Sequence, residues 1–429
     1  MSFLRKSSLT LATRLGVIFF GFIISAWTAR VLGPEGKGVY ALLTLIPMLA
    51  AQFACLGLTN ANIFLIGQGR TAPKPAAENT LLFAIAASFV VLGLYWLLRA
   101  WLDPLLFKNI SPGLKILTVW SIPFYLIFLL FNYLALAVDD FPAFNLPNLV
   151  RQVLVLLGFG VIALWQQTTL FHAMLLWSIV NVVIAWHSWW LIYRRERFRL
   201  AWHPALFRET LGYGLKTYIG VVLYLLNWRL DFILCNFYLD AAAVGYYSTS
   251  ATIGEMLWFI PQTLSVVLLP QVARVSASEA RHLTSRVCRS TIWLSLIAAL
   301  VLAALAKPII SLVFGAEFLP AAPALLLLLP GIVFYCVTNL ITSYVVGRGH
   351  PQENNRALAL AFLTNLLANL YVIPRWGILG AAFASTLSYT LATVYLLLAY
   401  QRISGASWRE IVWLQRQDLH FSKNKTNHG

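Results

Sequence analysis

"ARVLGPEGKGVY", from Ala29 to Tyr40, interrupts two long apolar runs with three glycines, a proline, an arginine, a glutamate and a lysine. Proline lacks a backbone donor and glycine adopts backbone geometry that other residues avoid, so Gly33 and Pro34 are placed to end one helix and Gly38 to admit the next. A second stretch, "YLDAAAVGYY" from Tyr238 to Tyr247, follows another long apolar run and lacks the proline. A shift of 207 residues lays Leu32, Gly38 and Tyr40 on Leu239, Gly245 and Tyr247, and Asn148 on Asn355. The chain therefore reads as two copies of one unit. An even number of spans per copy keeps both copies in the same orientation, which requires a pseudo-twofold axis along the membrane normal.

The 429 residues are 60% hydrophobic and 11% charged, a balance that no water-soluble domain of this length carries. The expected class is an all-α, polytopic membrane protein. There are 31 lysines and arginines against 15 aspartates and glutamates. That excess falls between apolar runs instead of on a soluble face with a nucleic-acid module, so no nucleic-acid partner is expected. Cys55, Cys235, Cys288 and Cys336 are not paired in a CxxC or Cys/His cluster, which leaves them as small buried residues. No cofactor or metal is expected.

A bilayer core takes about 20 apolar residues per helix. Twelve spans are expected, roughly over 10–31, 39–67, 80–99, 114–137, 148–165, 170–192, 212–238, 242–269, 288–310, 320–346, 356–374 and 376–400. With the N-terminus inside, the cytoplasmic segments hold 20 basic residues, the outer segments six and the spans five. Cytoplasmic loops concentrate lysine and arginine, so both termini are expected inside, in a bacterial inner membrane. The first apolar run follows Arg5 and Lys6 but continues past signal-peptide length, so it reads as an uncleaved helix. The expected domains are a six-helix bundle over 1–193, a basic cytoplasmic linker over 194–211, a second bundle over 212–402 and a cytoplasmic tail over 403–429.

"ARVLGPEGKGVYALLT" after the first span, "NWRLDFILCNFY" in the seventh and "VGRGHPQENNRALALAFLTNLLANLYVIPRWGILGAAFAST" across the tenth to twelfth resemble the polysaccharide flippases of the multidrug, oligosaccharidyl-lipid and polysaccharide exporter superfamily. That resemblance covers nearly the whole chain and rests on patterns of Gly, Pro and Asn. It implies two six-helix bundles around a central cavity. It further implies alternating access that carries a lipid-linked oligosaccharide from the inner to the outer leaflet.

Charges within spans are costly, about 2.5 to 3.5 kcal/mol each on insertion scales, so they usually face a protein interior or a watery cavity. The spans hold Arg14, Arg30, Arg151, Lys216 and Arg229 against Asp231 and Glu255. Arg30, beside Glu35 at a span end, reads as an interfacial side chain. Arg14, Arg151, Lys216 and Arg229 are the substrate-binding candidates, although Arg151 and Lys216 could also reach head groups. Arg14, Gly21, Ser25 and Thr28 fall within about 60° on one helix face, a stripe suited to a cavity or a close helix contact. Arg229 and Asp231 project about 200° apart and so should find different partners, while Lys216, Asn227 and Asp231 share a sector. Glu255 stacks over Gln262 seven residues later. Asp231 and Glu255 are candidates either for structural ion pairs with arginines or for a protonatable coupling site.

A lipid-linked oligosaccharide carries a diphosphate between tail and sugars, and guanidinium holds phosphate by two hydrogen bonds without losing its charge. Five basic against two acidic residues in the spans favour that anion over the cations of a multidrug exporter, the sibling reading. Trp120, Tyr125, Tyr133, Trp228, Trp258 and Tyr335 could stack on sugar faces, though most aromatics here belong to interface belts or packing. A membrane-embedded polymerase or ligase would need acid and base residues on a sizeable outer loop. The longest outer loop, about 99–113, has Asp103 as its one carboxylate, and there is no Walker-type loop. The reading is thus a transporter and not an enzyme. Its partners are a lipid-linked oligosaccharide, membrane lipids and, further, polysaccharide-assembly proteins.

Overall fold

The computed structural model describes residues 3–164 and 169–413, and every regular element among them is helical. In chain order the helices are α1 (Phe3–Ala54), α2 (Leu58–Gly67), α3 (Pro73–Leu106), α4 (Pro112–Ala137), α5 (Phe141–Leu164), α6 (Leu170–Glu196), α7 (Pro204–Tyr238) and α8 (Ala241–Glu255). They continue as α9 (Phe259–Arg274), α10 (Ala277–Ala304), α11 (Ala306–Ile309), α12 (Ala321–Gly347), α13 (Pro351–Trp376), α14 (Ile378–Ser404) and α15 (Trp408–Val412). Proline opens α3, α4, α7 and α13, where its missing N–H costs no helical hydrogen bond.

Among the described residues, 11 helical stretches are long and apolar enough to cross a membrane. The first, Thr10–Ala54, runs 45 residues, more than twice what one crossing takes; it contains the first expected span and most of the second, whose remainder, to residue 67, is the separate helix α2. It is broken at Gly33, whose φ of 66° and ψ of −177° lie outside the helical region. Pro34 then restarts the helix. The expected linker over 194–211 is mostly helical, because α7 already begins at Pro204. The intervening segment is pinned to the start of α3: His203 Nε2 lies 2.7 Å from buried Glu78, and the His203 N–H donates to Asn79 Oδ1 at 2.9 Å. The tail beyond Trp413 lies outside the described residues.

Contacts divide the chain into two compact units, Met1–Thr249 with Ile310–Pro320, and Ser250–Ile309 with Ala321–Gly429. In the first unit, α1 and α5 run side by side in the same chain direction. Thr10 meets Asn145, Gly16 sits against Leu149, Gly21 faces Gln152 and Trp27 stacks on Phe159 with ring centroids 4.2 Å apart. Phe159 is fully buried, in a cluster with Ile24, Tyr40, Met174 and Ile184.

The two repeat-related glycines meet each other. A Cβ on Gly38 would lie 1.7 Å from the carbonyl oxygen of Ala241, and one on Gly245 would lie 2.0 Å from that of Pro34. Gly38 and Gly245 are 207 residues apart, as are Pro34 and Ala241. Each copy presents the same two positions to the other, the reciprocal pattern that a two-fold relation generates. Close backbone contact of this kind is how helices associate where hydrophobic burial offers little.

In the second unit α12 is packed by α9, α10 and α14, and small polar residues tie the helices together. Thr338 and Thr393 hydroxyls are 2.8 Å apart, Ser388 donates to the Ala361 carbonyl at 2.9 Å and Asn365 donates to the Ser385 hydroxyl at 3.4 Å. Such bonds within membranes average about 0.6 kcal/mol each. The four cysteines are free and buried, as expected.

The short helix α15 docks on α10 through Arg281, which donates to both oxygens of Glu410 at 3.0 and 2.5 Å, and through Trp293, which donates to the Val412 carbonyl at 2.9 Å. The hydrogen bond from Arg281 holds the Glu410 carboxyl below its usual range. A depressed carboxyl stabilises the docked state above the unfolded carboxyl range, and that contribution is lost as pH falls through the lower folded value. Protease cleavage near Gly405 is therefore expected to be slow at neutral pH, to quicken below about pH 4, and to be fast at neutral pH in Glu410→Gln. Equal cleavage of wild type and Glu410→Gln at neutral pH would refute the clamp.

Candidate functional site

The parallel packing of α1 and α5 brings Arg14 and Arg151 to the same end of that pair. By the matched contacts, Arg14 lies level with the residues just before Leu149, and Arg151 lies about 6 Å further along the axis at 1.5 Å per residue. Arg14 is exposed, whereas Arg151 is half-buried with its guanidinium carbon 5.1 Å from the Phe128 ring centre and 5.6 Å from that of Tyr125. The remaining stripe residues on α1 are engaged in contacts: Gly21 faces Gln152, and buried Thr28 donates to the Ser25 carbonyl.

Lys216 sits at the same end of the first unit, because neighbouring Gly214 is in backbone contact with Gly57 and Tyr218 donates to the Phe53 carbonyl at 2.6 Å. It is exposed, while Asn227 and Asp231 of the same expected sector are 2% exposed. The face is polar as expected, but only its upper part is enclosed. Asp231 accepts from the Tyr247 hydroxyl at 2.6 Å. Arg229 stacks on the neighbouring Trp228 at 3.6 Å and on Phe232 at 5.0 Å. A ring takes the flat face of the guanidinium fork and leaves its N–H edge to other partners.

One expectation changes. Glu255 ends α8 in the second unit, and the 3₁₀ turn Met256–Trp258 follows it. That turn advances about 120° per residue instead of 100°, so Gln262 lies about 40° from Glu255 around the axis, still within one helix face. Trp258 and Tyr335 form a buried aromatic core with Tyr389, at 4% and 7% exposure, so their rings are unavailable to sugars. Trp120 is 63% exposed.

Lys37 escaped the sequence reading, which assigned it to an outer loop. The helix resumes at Pro34, so Lys37 is in the first turn after the break and only 3% exposed. It reaches back across the break to donate to the Ser25 hydroxyl at 2.8 Å and the Ser25 carbonyl at 3.1 Å. Its ammonium lies 4.5 Å from the Phe314 ring centre and 5.7 Å from that of Phe318. Arg30 binds the same segment, donating to the Val313 carbonyl at 2.9 Å and to that of Leu312. Burying an ammonium is costly even when it is hydrogen-bonded. Lys37→Met keeps the length of the side chain and removes the charge, so it is expected to raise the thermal unfolding midpoint; a fall of several degrees would mean that the cation organises the break.

Residues 28–323 match the family profile described as polysaccharide biosynthesis protein. The chain belongs to that family. Among curated relatives, the chain is 27% identical over 188 residues to a probable low-salt glycan biosynthesis flippase, Agl15, of Haloferax volcanii, covering 42% of this chain and 39% of the relative. It is 23% identical over 164 residues to the capsular polysaccharide biosynthesis protein CapF of Staphylococcus aureus, covering 37% and 41%. The chain thus spans about two fifths of the length of the curated relatives it matches. Its fold is similar to that of the lipid II flippase MurJ in an inward closed conformation, with a TM-score of 0.77 at 15% identity over 92% of this chain and 90% of that one. It is also similar to an inward-facing multidrug resistance MATE transporter, with a TM-score of 0.64 at 14% identity over 92% and 98%.

Proposed function

We propose that this protein is a transporter that flips a polyprenyl-diphosphate-linked oligosaccharide from the cytoplasmic to the outer leaflet by alternating access. The observation that carries the reading is the run of cations inside the spans of the first unit. Arg14 and Lys216 stand at one end, Arg151 and Arg229 further along, and Lys37 and Arg30 beside the break in α1. An anionic diphosphate is attracted by such a series, whereas a cationic drug is repelled. The names of the relatives agree with the reading: two are probable flippases of Haloferax volcanii and one is a capsular polysaccharide biosynthesis protein.

In this reading Arg14, Arg151, Lys216 and Arg229 bind the diphosphate. Asp231 and Glu255 are the coupling sites, gaining and losing a proton or binding a cation as the cycle turns. The protein resides in the bacterial inner membrane with both termini cytoplasmic. The division at 194–211 joins two six-helix bundles, and polysaccharide-assembly proteins receive the product. It hydrolyses nothing itself, so an ion gradient, the membrane potential or consumption of the product supplies the drive.

The test is the leaflet on which lipid-linked sugar accumulates when the gene is deleted. Accumulation on the inner leaflet supports a flippase. Accumulation on the outer leaflet would overturn it in favour of an enzyme that acts after translocation.

A further inference from the structure

Helix α3 is fixed at both ends and stands off in the middle. At one end Phe83 and Ala84 are buried in a cluster with Ala51, Leu126 and Leu130, and Asn62 donates to the Thr80 hydroxyl at 3.0 Å. At the other end Phe107 is 2% exposed, the Tyr95 hydroxyl donates to Asp103 at 3.0 Å and Lys115 pairs with the other Asp103 oxygen at 3.0 Å. Between these fixings Val90, Leu94 and Leu98 are 59%, 48% and 43% exposed, although they line the inner side of the helix.

The gap that this leaves is a cavity of about 520 Å³ between α3 and the second half of α1, with α4 behind. Its lining on α3 begins at Phe83 and ends at Leu106, recurring at helical spacing along one face. At 1.5 Å per residue that face is about 35 Å long, slightly more than the ~30 Å hydrocarbon core. The wall is apolar throughout; its one side-chain hydroxyl, that of Tyr95, is committed to Asp103. Ala50 and Ala54 of α1 and Ala86 and Ala87 of α3 are small residues in its lining, which leaves room for methyl branches on the occupant.

We propose that this slot binds the polyprenyl tail of the carrier lipid. An acyl chain of a phospholipid occupies one leaflet, about half of the hydrocarbon thickness. The slot's face on α3 is long enough to pass through both leaflets. A branched tail longer than one leaflet fills it, and remains in it while the head group moves from one surface to the other. The tail is thereby held by the first unit throughout a transport cycle. Lipid is as apolar as the slot wall, so carriers are selected by the fit of tail length and methyl branches to the slot and not by transfer out of water.

The proposal rests on the substrate reading above, and the two are separable by experiment. Full-length protein in nanodiscs is irradiated with a diazirine-bearing polyprenyl phosphate that has no sugar, or with a diazirine-bearing phosphatidylcholine, and labelled peptides are mapped. Polyprenyl labels within residues 83–106 on both halves of α3, at least tenfold reduced by Ala87→Trp and by Ala50→Phe, are expected. Both variants narrow the slot from opposite walls, and a retained unfolding midpoint identifies the one to be read. Labelling outside 83–106, equal labelling by phosphatidylcholine, or no effect of a folded filled variant would overturn the slot. Outer-leaflet accumulation in the deletion strain would instead overturn the flippase reading while leaving a positive labelling result standing.

Discussion

Gly38→Leu is expected to abolish polysaccharide output and to lower the unfolding midpoint more than any other single change considered. A Cβ at this position would sit 1.7 Å from the Ala241 carbonyl oxygen and 2.8 Å from the Gly245 nitrogen, and both are backbone atoms that cannot rotate away. The two helices must separate by more than an ångström, which breaks the contact over several turns. Overpacking in a well-packed core costs about 1 to 3 kcal/mol where side chains can adjust, and here none can. Gly245→Leu should behave alike, because it meets Pro34 in the same way. Gly160→Ala is the control: nothing lies within 4 Å of its Cβ position, and alanine is the better helix former, so a neutral or slightly raised midpoint is expected. Differential scanning fluorimetry of the three purified variants reads the result. A Gly38→Leu protein as stable as Gly160→Ala would show that the close contact is not maintained in the membrane.

Arg229→Ala and Arg14→Ala are each expected to cut surface-polysaccharide output at least tenfold while the protein remains inserted and folded. A charge-assisted hydrogen bond is worth about 1.5 to 3 kcal/mol, or roughly ten- to a hundredfold in binding. Arg229 has its flat face on Trp228, so Arg229→Lys keeps the charge but loses the stacking and the planar fork, and only partial recovery is expected. Arg356→Ala, which removes an exposed pair with Glu353, supplies the comparison and should leave output unchanged. Full output from both Arg14→Ala and Arg229→Ala would sink charge recognition as the basis of substrate choice.

The fold was legible because apolar run length, turn chemistry and loop charge all report on the bilayer at once. Gly33 and Pro34 identified the break between the first two spans, although the helix resumes directly after Gly33 with no polar loop. That detail is why Lys37 was misassigned. A lysine three residues after a proline reads as a loop residue unless Ser25, eight residues before the break, is known to be within its reach. The angular argument on α7 found the enclosed face at Asn227 and Asp231 but not that Lys216 lies where the face is exposed. Helical periodicity gives direction about an axis, whereas burial depends on what lies opposite, and that comes from residues far along the chain. The slot beside α3 was invisible for the same reason, since an unfilled space has no residue of its own.

Gly38 and Gly245 occupy equivalent positions in two copies and touch each other, so mutational drift cannot treat them independently. A side chain gained on either glycine is felt at the same contact, and a compensating change must arise in the opposite copy. Pro34 and Ala241 were free to diverge because each offers only a carbonyl oxygen, which every residue has. The repeat is therefore expected to survive longest in sequence where its copies meet, and to fade first on the faces that each copy turns to the lipid.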